Sequence, residues 1–167
     1  MTILRIENQD KNNFILSIFI LIQLGFSLPV KAQSGCQATI NSIVNEIESK
    51  GVRRVIVEKT TVTNRRNPTN RTNEIIFALS PYNESYTSLD TRSYRIVSNI
   101  IASGVLMKSY ADRIVSNCQD IAVVIFGVDQ TESGPEFAIQ SDGKTRLRDC
   151  IPSGSNLTAN WNQTYCH

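Results

Sequence analysis

Two groups of basic residues are the most suggestive candidates for a binding surface. The polar segment 64–72 carries Arg65, Arg66 and Arg71, and a later segment carries Lys144, Arg146 and Arg148 at alternate positions. Alternate residues of a strand share one face of a sheet, so an open face would let these cations contact an acidic glycan, a lipid headgroup or an acidic protein. The simpler interpretation is a solvated strand face that protects a sheet edge from aggregation.

Two aromatic residues near the C-terminus, Trp161 and Tyr165, are a second candidate contact, with a sugar or with another protein. The simpler interpretation is that aromatics beside a disulfide cover one end of the core.

An acidic turn contains Asp129, Glu132 and Glu136, but it lacks the ligand spacing of a calcium-binding EF-hand loop. The sequence therefore predicts no metal site and no cofactor.

Signals for catalysis are weak. The single histidine, His167, is the last residue, and a chain terminus is a poor scaffold for a Ser-His-Asp or Cys-His mechanism. Asp112 and Asp120 could form the carboxylate pair of an envelope hydrolase, although a solvated helix face and a strand entry explain them more simply. We therefore predict no catalytic residues. The alternatives to a binding protein are such a hydrolase, or a secreted inhibitor that inserts an exposed loop into its target.

The first 32 residues have the pattern of a cleaved signal peptide. A polar start is followed by 15 mostly apolar residues, 14–28, and Val30-Lys31-Ala32 fits the requirements of a signal peptidase. A retained membrane anchor is the alternative, but this apolar run would span only ~22 Å of a ~30 Å hydrocarbon core. The remaining chain, residues 33–167, has the length of a single domain.

The charge of the predicted mature chain is nearly balanced. The whole sequence has 17 basic and 15 acidic residues, and residues 1–32 hold three and two of them. A remaining net charge near +1 does not support nucleic-acid binding, which requires a strong basic excess. We expect a periplasmic or extracellular protein without a stable membrane anchor after cleavage. Its predicted partner is an acidic envelope component or an acidic protein.

All four cysteines lie in this exported part, at Cys36, Cys118, Cys150 and Cys166. An even number of cysteines in an exported chain predicts two disulfides, and four cysteines allow three pairings. We favour Cys36–Cys118, which would join the start of the first helix to the end of the last. The other pair, Cys150–Cys166, would then close the C-terminal tail.

Three segments have the periodicity of helices. The apolar face of the first, over residues 37–50, consists of Ile40, Ile43, Val44 and Ile47. This spacing places the four side chains on one side of a helix, and Gly51 ends it as the residue that tolerates a positive φ. Similar spacing predicts helices over 91–102 and 103–117, separated or bent at Gly104.

The remaining segments predict a sheet. Residues 52–63 and 73–80 are rich in β-branched and apolar side chains and predict a hairpin with segment 64–72 at its tip. Residues 121–128 are continuously apolar, as in a strand covered on both faces, and Asp142-Gly143 predicts a tight turn between two later strands. The order α-β-β-α-α-β-β-β favours a two-layer α+β fold. It would be a mainly antiparallel five-stranded sheet with two to three helices on one face, followed by an irregular tail over 151–167.

Five segments carry a resemblance to a known group of proteins. They are residues 36–41 (CQATIN), 67–75 (NPTNRTNEI), 108–118 (KSYADRIVSNC), 140–145 (QSDGKT) and 161–166 (WNQTYC). Together they resemble a family of small exported proteins of cyanobacteria that has no known function. The resemblance covers nearly all of the predicted mature chain. It implies export, paired cysteines and a periplasmic or extracellular location, and it brings no catalytic residues.

Overall fold

The computed structural model describes residues 28–62, 66–82, 86, 88–131, 134–153 and 158–166, with side chains from residue 34 onward. The elements in chain order are α1 (Leu28–Ser49), β1 (Arg54–Thr61), β2 (Asn73–Ser80), α2 (Thr91–Ala102), α3 (Gly104–Asn117), β3 (Ile121–Val128), β4 (Glu136–Ile139), β5 (Thr145–Leu147), β6 (Asp149–Ile151) and β7 (Gln163–Tyr165). The first eight elements follow the predicted order, so the α+β fold is confirmed.

The three helices bury the faces that their apolar spacing predicts. In α1, Ile43 and Ile47 are fully buried. The helix begins at Leu28 rather than near residue 37, so the predicted cleavage point after Ala32 falls within it. Residues 1–27 of the predicted signal peptide lie outside the described residues. Helices α2 and α3 meet at Ser103, next to the glycine that the sequence marks as their boundary.

The first five strands form one sheet in the order β1-β2-β3-β4-β5. Three of its four strand pairs are antiparallel, which confirms the mainly antiparallel sheet. The strand order places β3 at its centre. The pair β2–β3 is parallel. The segment between these two strands contains α2 and α3, and a crossover of this length is what a parallel pair requires. Both strands therefore end at the same edge of the sheet, and β1 begins there.

One face of the sheet is covered by helices. Val57, Phe77 and Phe126 form a row across this face, and the rings of Phe77 and Phe126 stack with centroids 5.3 Å apart. Tyr110 of α3 packs above them, with its centroid 6.3 Å from that of Phe126. Each large apolar side chain buried in this layer contributes about 1.5–3 kcal/mol, so the interface between helices and sheet is the main source of stability.

The C-terminal tail is more regular than predicted. Strands β6 and β7 pair in parallel as a small second sheet, so the expectation of an irregular segment over 151–167 is wrong for these residues. Trp161 is buried, and its Nε1 donates a hydrogen bond of 2.7 Å to the carbonyl oxygen of Ile139. Because indole carries its own donor, Trp161 can bury its ring against β4 and still satisfy that group.

Both favoured disulfides are confirmed: Cys36 is bonded to Cys118, and Cys150 to Cys166. The first links α1 to the residue that follows α3, and the second links β6 to the end of the tail. Two disulfides indicate an oxidising compartment and therefore an exported protein. None of the helices in the described part of the chain has the length and apolar character needed to cross a membrane.

Candidate functional site

Arg71, one of the predicted contact residues, is used inside the protein. Its Nη1 donates to the carbonyl oxygens of Val115, Cys118 and Ile121 at 2.7, 3.0 and 3.0 Å. These carbonyls lie at the end of α3 and the start of β3, where a helix leaves acceptors without partners and its dipole favours a cation. Burial lowers the pKa of Arg71 somewhat, and the nearby Asp120 opposes this effect. The contacts assign Arg71 a structural role as a helix cap.

Arg148 is held inside as well. Only 11% of its side chain is exposed; its Nη1 lies 2.6 Å from a Glu136 oxygen, and its Nη2 donates to the Gln163 carbonyl. The guanidinium also lies over the Trp161 ring, 5.8 Å from the centroid. The predicted face shared by Lys144, Arg146 and Arg148 is interrupted because β5 ends at Leu147 and β6 begins at Asp149. Arg148 therefore joins the tail to the main sheet.

The remaining predicted contacts are only partly brought together. Arg66, Lys144 and Arg146 are exposed, and Arg146 pairs with Asp142 at 3.2 Å. Segment 66–72 and the turn after β4 lie at the same end of the sheet, on β2 and β5. Three strand spacings, about 14 Å, separate those two strands. Arg65 lies outside the described residues, Tyr165 is 39% exposed, and Trp161 is buried.

The two aspartates considered for hydrolysis are both engaged in hydrogen bonds. Asp112 accepts from Lys108 at 2.6 Å and from the Thr145 amide and hydroxyl at 3.1 and 2.6 Å. Partial burial opposes ionisation of Asp112, but these hydrogen bonds outweigh it and lower its pKa. A general acid of a glycosidase needs a raised pKa. Asp112 therefore has the wrong environment for a general acid. Its hydrogen bonds instead tie α3 to β5.

Asp120 is bound in a similar way. It accepts from Lys59, and from Asn73 Nδ2 at 2.7 Å. Burial again raises its pKa, whereas the hydrogen bonds from Lys59 and Asn73 lower it, and the net pKa lies below the ordinary value. Because Asp120 precedes β3 while its partners belong to β1 and β2, this carboxylate fixes the register of three strands at one end of the sheet.

These pKa shifts predict that the protein loses stability in acid. A carboxyl group whose pKa is lower in the folded than in the unfolded chain stabilises the fold while it is ionised. Its contribution is complete above the unfolded value of about 3.9 and is lost as the pH falls through the folded value. We expect the urea midpoint to fall steadily from about pH 5 to pH 2. Replacing Asp112 and Asp120 by asparagine should flatten this decline, and an unchanged pH profile would contradict the assignment.

At the opposite end of the sheet the structure forms a groove of about 540 Å³, lined by Glu48, Gly51, Val52, Arg53, Asp90, Arg92 and Ser93. The end of α1 and the turn into β1 form one wall, and the first turn of α2 forms the other. Gly51 has φ +102°, and a side chain there would meet Ile96. The groove lies where β2 ends, since Asp90 N donates to the Pro81 carbonyl. Ligands of sheets with parallel strands commonly bind at the carboxyl ends of those strands.

The charged groups of the groove are partly satisfied by one another. Asp90 caps α2 by accepting from Ser93 N at 3.0 Å, and its other oxygen accepts from Arg53 at 2.9 and 2.5 Å. The bond from the Ser93 amide, helped by Arg53, lowers the pKa of Asp90 and keeps it ionised. Glu48 accepts from Val55 N at 3.1 Å through one oxygen. The two acids and two arginines of the lining give no net charge.

Two groups of the groove remain without partners among the described residues. The Arg92 side chain is exposed and makes no ion pair or hydrogen bond there. Ser93 is 1% exposed, and its hydroxyl has no hydrogen-bond partner in the described part of the chain. Buried polar groups are normally paired. The Ser93 hydroxyl has almost no accessible surface, so a group in the groove can bond to it only if the first turn of α2 shifts.

A second polar cluster lies beside the groove. Arg54 stacks on Tyr86, with the guanidinium carbon 4.6 Å from the ring centroid. Its Nη2 forms an ion pair with a buried Asp129 oxygen at 3.9 Å, which is too far for a direct hydrogen bond, and neither atom has a hydrogen-bond partner among the described residues. Tyr86 and Gln130 have φ values of 56° and 66°. Strain and unpaired polar atoms thus concentrate at this end of the sheet, as they do at functional sites.

The groove is not recognisable in the sequence. Asp90 three residues before Ser93, ahead of an apolar helical pattern, is a recognisable start of a helix, but nothing in the sequence places Glu48 and Arg53 opposite it. Within the described residues no group of three or more His, Cys, Asp or Glu side chains is placed to hold a metal ion, and Glu132 lies outside them. Comparison of the chain with protein-family models, curated proteins and solved structures returns no match, so its function must be inferred from this geometry.

Proposed function

We propose that this chain is a binding protein of the periplasm or cell exterior and that it holds a polar ligand in the groove between α1 and α2. The observation that carries the proposal is the groove at the end of β2, in which the exposed side chain of Arg92 makes no ion pair or hydrogen bond within the described residues. A hydrogen bond from a charged group of this kind contributes about 1.5–3 kcal/mol, so a polar ligand that accepts from Arg92 is held by a specific contact. The volume of the groove lies within the range of small-molecule sites, roughly 300–1,000 Å³.

The cationic surface predicted from the sequence has less support as the binding site. Two of its six members, Arg71 and Arg148, already satisfy carbonyl and carboxylate groups of the protein. The exposed members Lys144 and Arg146 share their turn with Asp142, which pairs with Arg146. Exposed pairs of this kind contribute little net energy. An acidic envelope partner held by this surface is therefore the weaker form of the binding proposal.

A hydrolase is the second candidate because Glu48 and Asp90 line the same groove. One carboxyl group of such a pair must stay protonated to act as the acid. The pKa of Asp90 is lowered by its bond from the Ser93 amide and by Arg53, and Glu48 already accepts from a backbone amide. These contacts favour binding over hydrolysis. If the protein releases soluble fragments from purified peptidoglycan and Glu48→Gln abolishes this release, hydrolysis would be favoured over binding.

The binding proposal is tested by adding soluble fragments of digested cell envelope to the purified protein and following backbone amide signals by NMR. We expect shifts at Gly51, Val52 and Ser93. Arg92→Ala should weaken binding about tenfold because a hydrogen bond to a charged group contributes about 1.5–3 kcal/mol. Arg95→Ala, an exposed arginine three residues further along α2, is the matched control and should bind within twofold of the parent.

Ser93→Ala is a control for the groove wall. Because its hydroxyl bonds to no described residue and is not exposed to the groove, removing it should leave the free energy of unfolding unchanged or slightly raised, and binding should match that of the parent. If Arg92→Ala binds as tightly as Arg95→Ala, the groove is not the binding site and the proposal is wrong. Shifts confined to Lys144 and Arg146 would instead favour the cationic surface.

A further inference from the structure

The groove contains two charged groups of opposite sign that the described residues leave unpaired. Arg53 and Asp90 satisfy one another, and the Asp90 carboxylate also caps α2. The Arg92 side chain is exposed and makes no ion pair or hydrogen bond within the described residues. Glu48 is half-buried and accepts from the Val55 amide through one oxygen, and its other oxygen has no partner in the described part of the chain. One donor and one acceptor are therefore open to a ligand.

These two groups lie on opposite walls of the groove. Glu48 belongs to the last turn of α1 and Arg92 to the first turn of α2, and both side chains line the groove. They form no ion pair with each other within the described residues, so neither charge neutralises the other directly. Because both side chains reach solvent, a ligand can contact them without any shift of the first turn of α2.

A ligand that satisfies both groups must carry one negative and one positive charge. The Arg92 guanidinium presents a fork of donors that matches a carboxylate, and the free Glu48 oxygen can accept from an ammonium group, which carries three donors. A simple anion would be repelled by Glu48, and a simple cation would be repelled by Arg92. The two acids and two arginines of the lining give no net charge that would favour either one.

We propose, as a refinement that rests on the proposed function, that the groove binds a zwitterion of about the size of a dipeptide. In this assignment the carboxylate of the ligand pairs with Arg92, and its ammonium group pairs with Glu48. An extended dipeptide separates its two charged ends by about 7 Å, which fits two groups on opposite walls that do not contact one another. The groove volume of about 540 Å³ is sufficient for a ligand of this size.

The refinement is tested with alanylalanine and with two derivatives that each lack one charge, the N-acetylated dipeptide and the C-terminal amide. Titration of the purified protein with alanylalanine should shift the amide signals of residues 48–53 and 92–93. Each derivative should bind about tenfold more weakly, because it loses one hydrogen bond between charged groups. The affinity for alanylalanine should also fall between about 0.05 and 0.5 M salt, since screening weakens both contacts.

Two variants assign each charged end of the ligand to its partner. Glu48→Gln should weaken alanylalanine about tenfold but should not weaken the N-acetylated dipeptide, which has no ammonium group. Arg92→Ala should weaken alanylalanine but not the C-terminal amide, which has no carboxylate. Glutamine at position 48 keeps an oxygen for the Val55 amide, so this turn should stay folded. The matched controls Glu58→Gln and Arg95→Ala replace exposed residues outside the lining and should bind as the parent does.

Different results overturn different parts of the assignment. If the N-acetylated dipeptide binds as tightly as alanylalanine, the groove recognises an anion, and if the amide does so, the groove recognises a cation. Groove shifts with envelope fragments but not with alanylalanine would exclude the zwitterion while leaving the binding proposal intact. If envelope fragments produce no groove shifts either, the proposed function itself fails. Thermal melts of each variant identify any loss of binding that is due to unfolding.

Discussion

Replacing Cys36 and Cys118 together by serine should lower the free energy of unfolding by about 4 kcal/mol. The two cysteines are 82 residues apart. In the chain-entropy model, a crosslink closing a loop of this length restricts the unfolded chain enough to contribute about 4–5 kcal/mol. Since small proteins are stable by only ~5–15 kcal/mol in total, the variant should unfold at a much lower urea concentration than the parent.

The second disulfide supplies an internal comparison. Cys150 and Cys166 are 16 residues apart, for which the same model gives about 3 kcal/mol. Urea unfolding followed by circular dichroism, with the two double-serine variants measured side by side, checks both values. A loss below about 1.5 kcal/mol for the Cys36/Cys118 variant would mean that the reduced, unfolded chain keeps α1 and α3 close together without the bond.

The cysteine pairing could be predicted because only a few pairings are possible. The helices could be predicted because the spacing of their apolar residues is a local signal. Export predicts that the four cysteines are paired, four cysteines allow three pairings, and joining the ends of the first and last helices selects one of them. The apolar spacing of α2 gives its bounds, Thr91–Ala102, as the structure has them. A central position for β3 follows from its continuous apolar run, because a strand at an edge would expose part of that surface.

The parallel pairing of β2 with β3 could not be predicted as securely. Both strands are apolar segments in the sequence, which does not show whether a crossover with two helices returns the chain beside β2 or at another edge.

The predictions for two arginines were wrong for the same reason, because their partners are distant in the sequence. Arg71 and Arg148 look like solvated cations in the sequence, but their acceptors lie 44 and 15 residues away, at Val115 and Gln163. Only the fold brings these groups together.

The groove depends even more strongly on the fold. Its walls come from the end of α1 and the beginning of α2, with Arg53 and Asp90 separated by 37 residues. Charged residues at those positions are expected on the surface of any exported protein, so none of them is distinctive by type. The distinguishing feature is that the Arg92 side chain has no partner within the described residues, and partners can be assigned only when the whole environment of a side chain is known.

Arg71→Ala should destabilise the protein by about 2–3 kcal/mol, and this result would separate its structural role from the contact role that its sequence suggests. The substitution removes a charged donor from three carbonyl groups, and hydrogen bonds to charged groups contribute about 1.5–3 kcal/mol. Arg71→Lys keeps the positive charge near the end of α3, but its ammonium group lies on a shorter side chain than Nη1 and cannot reach all three carbonyl groups as closely. It should therefore lose roughly half as much stability.

Lys144→Ala is the matched control, because Lys144 is an exposed cation at the same end of the sheet and surface substitutions usually change stability by less than ~0.5 kcal/mol. Urea unfolding gives the energies, and hydrogen exchange of the amides around residues 115–121 locates the effect. Faster exchange there in Arg71→Ala, with normal exchange in the control, is expected if Arg71 caps α3. If Arg71→Ala instead keeps full stability and loses affinity for envelope fragments, the cationic segment is a contact surface after all, and the groove loses its priority as the binding site.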